Sequence, residues 1–342
     1  MMHNYPAVSV IVPCRNEKKH IEHGIRSILE QHSPIGGFEV VIVDGMSNDG
    51  TREILEQLIR EDSRLRLIDN PSRTTPFAMN AGIRAAQGQF IAIMGAHTIY
   101  SNDYIRTCVE LLNEHPEAWC TGGPIQSKGK SPFGQAVAAA MSHPIGVGNA
   151  KHRFCDYEGY AEGACFPMFR REVFDTIGFY DEKLTRNQDD ELNLRMTQQG
   201  GKVFLSPRAA CTYFVRDSPS GLFWQYFQYG YYRVAVLRKH RIPASLRQLV
   251  PIIFFPVMLG MLIGNWCFPP GWGWAGWVLP VVYGAVLVYG GIGVGVKEGW
   301  KTGCLFPLAA FLMHFSYALG FSFALGKTTL HSLGLPGKEP FN

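Results

Sequence analysis

The fold is decided by Gln89–Asp103, QFIAIMGAHTIYSND. Phe90 to Met94 is apolar without alternation, the pattern of a strand covered on both faces, and it stops at Gly95. In an open parallel α/β sheet, ligands bind in the crevice beyond the carboxyl ends of the strands. Gly95, Ala96 and His97 therefore stand where chemistry is expected, and none of the three is a carboxylate.

The same alternation extends outward. Ala7 to Val12 is β-branched, ends at Pro13 and reads as a first strand; Ile21, Ile25, Ile28 and Leu29 recur at helical spacing up to Gln31. Phe38 to Val43 is a second buried strand, closed by Asp44-Gly45. Met46 to Gly50 forms a turn before a helix carrying Ile54, Leu55, Leu58 and Ile59. Leu65 to Ile68 is a third strand, Pro76 to Ala86 a helix, and Phe90 to Met94 the fourth strand. Strands alternating with helices imply right-handed crossovers and a nucleotide-binding type of parallel sheet.

Composition divides the 342 residues. The first part is mixed and charged, whereas Leu249 to Leu325 is almost free of charge, so a soluble domain precedes a membrane domain. The net charge of +4 is too small to argue for nucleic acid. Arg233, Arg238, Lys239, Arg241 and Arg247 gather just before the apolar region, a position suited to anionic headgroups. Eight cysteines without a CxxC pair fit a reduced, cytosolic setting. Ala7 to Val12 is too short for a signal peptide.

Several motifs in order carry a resemblance. VSVIVPCRNE, VIVDGMSNDGT and AMNAGIRAAQG, then EGACFPMFRREVFDTIGFYDE and NQDDELNLR, resemble a family 2 glycosyltransferase of the GT-A fold over roughly residues 5–240. The narrower likeness is to succinoglycan-type enzymes that extend a lipid-linked saccharide and carry C-terminal membrane helices. The resemblance implies a Rossmann-like, mostly parallel sheet. It implies a nucleotide-sugar site at Pro13, Arg15, Glu17, Asp44, Arg73, Asn80, Arg84, Ala96 and His97, with uridine contacts at Pro13, Glu17 and Asp44. Guanidinium geometry suits Arg73 and Arg84 to a diphosphate, although either reads equally as a solvated surface arginine. Asn48 and Asp49 read as a turn and a cap for the following helix.

Gly95-Ala96-His97 falls on the family's Asp-x-Asp, which holds a divalent cation against the diphosphate. The first carboxylate is absent and His97 replaces the second. The Mn2+ or Mg2+ that the resemblance implies is thereby put in doubt. Imidazole suits manganese or zinc better than magnesium, so His97 reads as a ligand for a more weakly held metal or a direct donor to phosphate, with a purely structural histidine as the alternative. The family's Glu-Asp pair falls on Gln188-Asp189, making Asp189 the base and Asp190 the alternative. These acids open a helix whose dipole favours the ionised carboxylate; alone they would read as caps. Gly163 and Ala164 admit close approach of the backbone to the sugar, with Glu162 and Arg195 supporting the acceptor side.

Ser218 to Arg241 mixes Phe223, Trp224, Tyr226, Phe227, Tyr229, Tyr231 and Tyr232 with basic residues, as an interfacial helix would. No Gln-x-x-Arg-Trp signature of processive synthases is present; Gln228 to Arg233 is a loose echo. Three membrane spans are expected at about 250–268, 274–296 and 303–326, divided at Pro269-Pro270-Gly271 and at Lys297 to Lys301. The expected organisation is a GT-A domain at 1–216, interfacial helices at 217–248, spans at 249–326 and a tail at 327–342. Basic residues place the catalytic domain on the cytosolic side of the inner membrane, with Lys327 and Lys338 falling on the other. The expected activity is inverting hexose transfer from a UDP-sugar to a polyprenyl-linked saccharide. The alternatives are transfer to polyprenyl phosphate itself, or a degenerate nucleotide- or lipid-binding scaffold subunit.

Overall fold

The computed structural model describes residues 6–96, 98–243, 245–265 and 273–332. His97, Ala244, the expected break at Pro269-Pro270-Gly271 and the tail including Lys338 lie outside the described residues. The chain forms two compact units: Met1–Gln126 with Lys151–Tyr213, and Ser127–Ala150 with Phe214–Asn342. The sequence boundary at 216 encloses Ser127–Ala150, which in the structure belongs to the second unit.

The first unit begins with strands β1 (Val8–Cys14), β2 (Phe38–Asp44), β3 (Leu65–Asp69) and β4 (Phe90–Ile93). Between them lie α1 (Ile21–Leu29), α2 (Thr51–Glu61) and α3 (Thr75–Ala85). All seven residues of β2 are buried, which is why its sequence shows no alternation. Helix α1 buries Ile21, Gly24, Ile25 and Ile28 on one face and pairs Glu22 with Arg26 on the other. Helix α3 starts with Pro76 in its first turn, where no backbone donor is lost. It presses Gly82 onto β1 so closely that an added Cβ would lie 2.4 Å from Ile11 Cγ2.

The later elements are β5 (Ile99–Tyr100), α4 (Tyr104–Glu114), β6 (Ala118–Gly122) and β7 (Ile125–Lys128). After α5 (Pro132–Met141) and α6 (Pro144–Val147) come β8 (Gly159–Ala161), β9 (Met168–Arg170), α7 (Glu172–Ile177), α8 (Gln188–Gln198), β10 (Lys202–Leu205) and β11 (Cys211–Phe214). The main sheet has eight strands in the order β3-β2-β1-β4-β9-β6-β10-β8. The block β3-β2-β1-β4 is parallel as expected, with Val8 facing both Phe38 and Phe90. Strand β9 then runs antiparallel to β4 and β6, and β8 antiparallel to β10. The sheet is therefore mostly parallel, with two reversed strands that periodicity did not announce.

In the second unit, α9 (Pro219–His240) is capped by Ser218, whose hydroxyl accepts from the Gly221 N–H at 3.1 Å. It packs along α12 (Trp300–Ser332), burying Phe227, Tyr231 and Val234 against Phe321 and Ala324. Trp224 stays half exposed. The crossing is reciprocal at two glycines. A Cβ on Gly230 would lie 2.0 Å from the Tyr317 carbonyl oxygen, and one on Gly320 would lie 2.0 Å from that of Phe227. Helix α10 (Leu249–Gly264) and helix α11 (Val278–Glu298) complete the unit. Leu246–Gly264, Gly273–Glu298 and Trp300–Lys327 are long and apolar enough to cross a membrane. Helices α5 and α6 join them. His314 Nε2 lies 3.0 Å from the Gly146 carbonyl, and its Nδ1 lies 2.9 Å from the Tyr283 hydroxyl.

Candidate active site

The carboxyl ends of β1 and β2 meet in one interlocked pair of loops. The Asn16 N–H donates to Ser47 Oγ at 2.8 Å, the Asn48 N–H to Asn16 Oδ1 at 3.0 Å, and the Glu17 N–H to Thr51 Oγ1 at 2.8 Å. Asn16 and Met46 take the left-handed conformation at φ 55° and 58°, which lets each loop turn sharply off its strand. Pro13 is half-buried at the end of β1, and Arg15 is exposed with its side chain against Gly45. Asp49 accepts from the N–H and hydroxyl of Thr51 and from the Lys18 N–H, holding the turn its position predicted, while the N-cap of α2 is Gly50. The Thr51 hydroxyl holds the Asp49 carboxyl below its usual range.

Asp44 is fully buried. Its oxygens accept from the Ser47 hydroxyl at 2.5 Å and N–H at 3.0 Å, and Arg52 approaches at 3.4 Å. Next to it in register is Asp69, half exposed and 2.7 Å from Arg52. The strand-end rule that singled out Asp44 applies equally to Asp69. Of the two carboxylates, Asp69 is the one open to solvent.

Helix α3 holds two of the expected donor residues, and both face the Ile177–Lys183 segment. The buried Asn80 amide donates to the Tyr180 carbonyl and to Glu182 at 2.9 Å and accepts from the Tyr180 N–H at 2.9 Å. Those three bonds use most of what one amide offers. Arg84 lies over the Phe179 ring at 4.6 Å and 3.8 Å from Glu182. Arg195 secures the same segment from the other side, donating to the carbonyls of Ile177 and Phe179 and forming a bidentate pair with the fully buried Glu191 at 2.8 and 2.9 Å. Asn80 and Arg195 thus act on this chain's own backbone. Arg73, at φ 59°, is exposed in the turn before α3.

The acceptor segment and the expected base come together. A Cβ on Gly163 would lie 2.4 Å from Asn193 Nδ2 on α8, and Ala164 is buried against Gly122. Glu162 is exposed. Asn187, left-handed at φ 58°, precedes α8, so Asp189 and Asp190 fall in its first turn; Asp189 Oδ1 accepts from the Asp190 N–H at 2.9 Å. Burial pushes the Cys165 thiol up to about 11, with Arg153 acting against this and the charges of Asp189 and Asp190 adding to it. Burial likewise raises Tyr180, and Asp189 adds to that shift.

The turn after β4 is filled by aromatic rings that sequence reasoning missed. The Gly95 N–H donates to the Tyr100 hydroxyl at 2.7 Å, and a Cβ on Gly95 would lie 3.0 Å from Phe166 Cε1. Ala96 is buried under α1, its carbonyl 1.9 Å from where a Gly24 Cβ would be. At the first Asp-x-Asp position the described residues offer the implied divalent cation no side-chain ligand. The first carboxylate position abuts a phenyl ring, and among the described residues no three Asp, Glu, His or Cys side chains gather in a metal-holding group.

The model for Glycosyl transferase family 2 matches residues 9–178. Succinoglycan biosynthesis protein ExoA of Rhizobium meliloti (strain 1021) is 33% identical over 91% of this chain and 93% of its own length. A glucuronosyltransferase of Methanococcus voltae, named as acting on dolichyl N-acetyl-alpha-D-glucosaminyl phosphate, is 23% identical over 92% of this chain and 95% of its own. The mannosyltransferase PcManGT from Pyrobaculum calidifontis, solved with GDP-Man and Mn2+, superposes with a TM-score of 0.59 at 20% identity, covering 93% of this chain and 88% of that one. The fold is GT-A, and the chain belongs to glycosyl transferase family 2.

Proposed function

We propose that this glycosyltransferase moves a hexose from a nucleotide diphosphate, UDP in the first instance, onto a hydroxyl of a polyprenyl-linked saccharide, with inversion, in the assembly of a cell-surface polysaccharide. The Rhizobium relative, named for succinoglycan biosynthesis and matching nearly end to end, supports the pathway class. The observation that carries the mechanism is Asp189 in the first turn of α8, beside the acceptor segment Gly163–Cys165.

The Asp189 carboxylate takes the proton of the acceptor hydroxyl. Its oxygen forms the new bond to the anomeric carbon as the bond from that carbon to the diphosphate oxygen breaks on the opposite face. The products are the inverted glycoside and a nucleoside diphosphate. The loops after β1 and β2 and the exposed Asp69 form the base end of the donor site, with Arg73 toward the diphosphate. The apolar helices hold the enzyme in the cytoplasmic membrane, with the catalytic unit in the cytosol, and present it to a lipid-linked acceptor.

The test is acceptor-dependent UDP release from UDP-hexoses in the presence of membrane lipid extract. Replacing Asp189 with Asn should lower turnover by about 10²- to 10⁴-fold, the usual worth of a general base, with an unchanged melting curve. Full turnover by the variant would remove the base mechanism and favour an acceptor that is already an anion, such as polyprenyl phosphate.

A further inference from the structure

Gly95 does not have a left-handed backbone, so only space limits what stands there. That space is taken: a Cβ would meet Phe166 Cε1 at 3.0 Å and Thr98 Oγ1 at 3.2 Å. Neighbours hold the Phe166 backbone and one edge of its ring. The Phe166 carbonyl accepts from the Tyr104 hydroxyl at 2.5 Å, and the ring packs edge-on against Tyr100 with centroids 5.6 Å apart. Tyr104 is completely buried. Phe166 itself is held at φ 50°, directly before Pro167. A bulky residue in the left-handed region, in a position that proline restricts further, is strained and persists only where its surroundings impose it. Here the imposed conformation sets an aromatic edge beside the turn that ends the central strand.

Magnesium takes oxygen ligands and keeps part of its water shell, and manganese takes carboxylate oxygens readily beside imidazole. A phenyl edge supplies no ligand and strips water from the place it fills. On the reading that this site takes a nucleotide-diphosphate sugar, we propose that Phe166 stands in for the first metal-binding carboxylate, so that the donor is bound without a divalent cation. The diphosphate charge then falls to the protein's own donors and cations.

Three variants and two readouts test this. The variants are Gly95→Asp, Phe166→Gly and the double substitution; glycine accepts the φ at position 166. The first readout is uptake of Mn2+ alone, followed by electron paramagnetic resonance. Wild type should show no stoichiometric uptake at micromolar metal, whereas the double variant should bind Mn2+ at least about tenfold more tightly, since a carboxylate is the ligand restored. Gly95→Asp alone should gain less, because the ring remains. The second readout is calorimetric titration of UDP and of GDP with excess chelator or with Mn2+; wild-type affinity should agree within about threefold. One tightly bound Mn2+ per wild-type chain, or nucleotide binding lost on chelation, would overturn the proposal. Failure of both nucleotides to bind under either condition would instead sink the donor reading, while the Mn2+ uptake still judges the site. Should the double variant not fold, the wild-type arms decide alone.

Discussion

The residues nearest the expected chemistry separate into those open to a ligand and those used by the fold. Asp190→Asn, beside Asp189→Asn, should lose much less turnover if Asp189 is the base; a dead Asp190→Asn protein beside an active Asp189→Asn protein would reverse the assignment. Arg195 belongs to the second group. Arg195→Ala would remove the bidentate ion pair to the buried Glu191 and the donors to two backbone carbonyls. Breaking a buried pair in this way costs about 3–5 kcal/mol, read as a clear fall in melting temperature. Asp49 gives a pH signature. Its folded value lies below the unfolded one, so its contribution is complete above the unfolded value and disappears as pH falls through the folded one. Between neutral and acid pH, Asp49→Asn should therefore lose less melting temperature than wild type. An equal loss would show that the Thr51 contact does not carry this linkage. The positions of Asp189 and of the strand-end loops were legible because a carboxylate or turn at the end of an apolar run has a chemical meaning. The engagement of Asn80 and Arg195 with the backbone was not, because those carbonyls come from residues distant in sequence. Phe166 carried no signal at all; its meaning lies in what it abuts.

At the scale of elements, strands β1 to β4 and helices α1 to α3 lie within a residue or two of where periodicity placed them, since a fully buried strand and an amphipathic helix each repeat locally. Strands β8 and β9 were not legible. They are three residues each, and their direction is set by pairing with strands made far away. Helix α9 was read from its aromatics and arginines as interfacial, and the structure adds the packed face that composition conceals. Its crossing with α12 makes a sharp prediction. Gly230→Ala and Gly320→Ala each place a methyl 2.0 Å from a backbone carbonyl oxygen, which cannot yield as a flexible side chain would. The helices must part, at about 1–3 kcal/mol for overpacking. The check is the unfolding midpoint in detergent. Gly293→Ala on α11, with nothing within 4 Å of the added carbon, should lose nothing; a similar fall in all three would mean that helix contact is not the cause.

At the scale of the molecule, removing everything after Pro243 uncovers Phe227, Tyr231 and Val234 by taking away α12. The shortened protein should still float with anionic liposomes at low salt, through that face and the basic end of α9. Recovery in the soluble fraction would show that α9 needs α12 to meet a lipid surface. The discontinuity of the second unit also bears on how the chain is made. Helix α5 and the turn at Gly146 are synthesised early, yet the hydrogen-bonding partner of Gly146 on α12 lies 168 residues further on. At ~5–20 residues per second, a ribosome needs roughly 10–30 s to supply it. For that interval α5 lacks the cover that α12 gives it. A nascent chain stalled after Gly299 should therefore be held by a chaperone or by lipid, and should be released when translation resumes and α12 arrives.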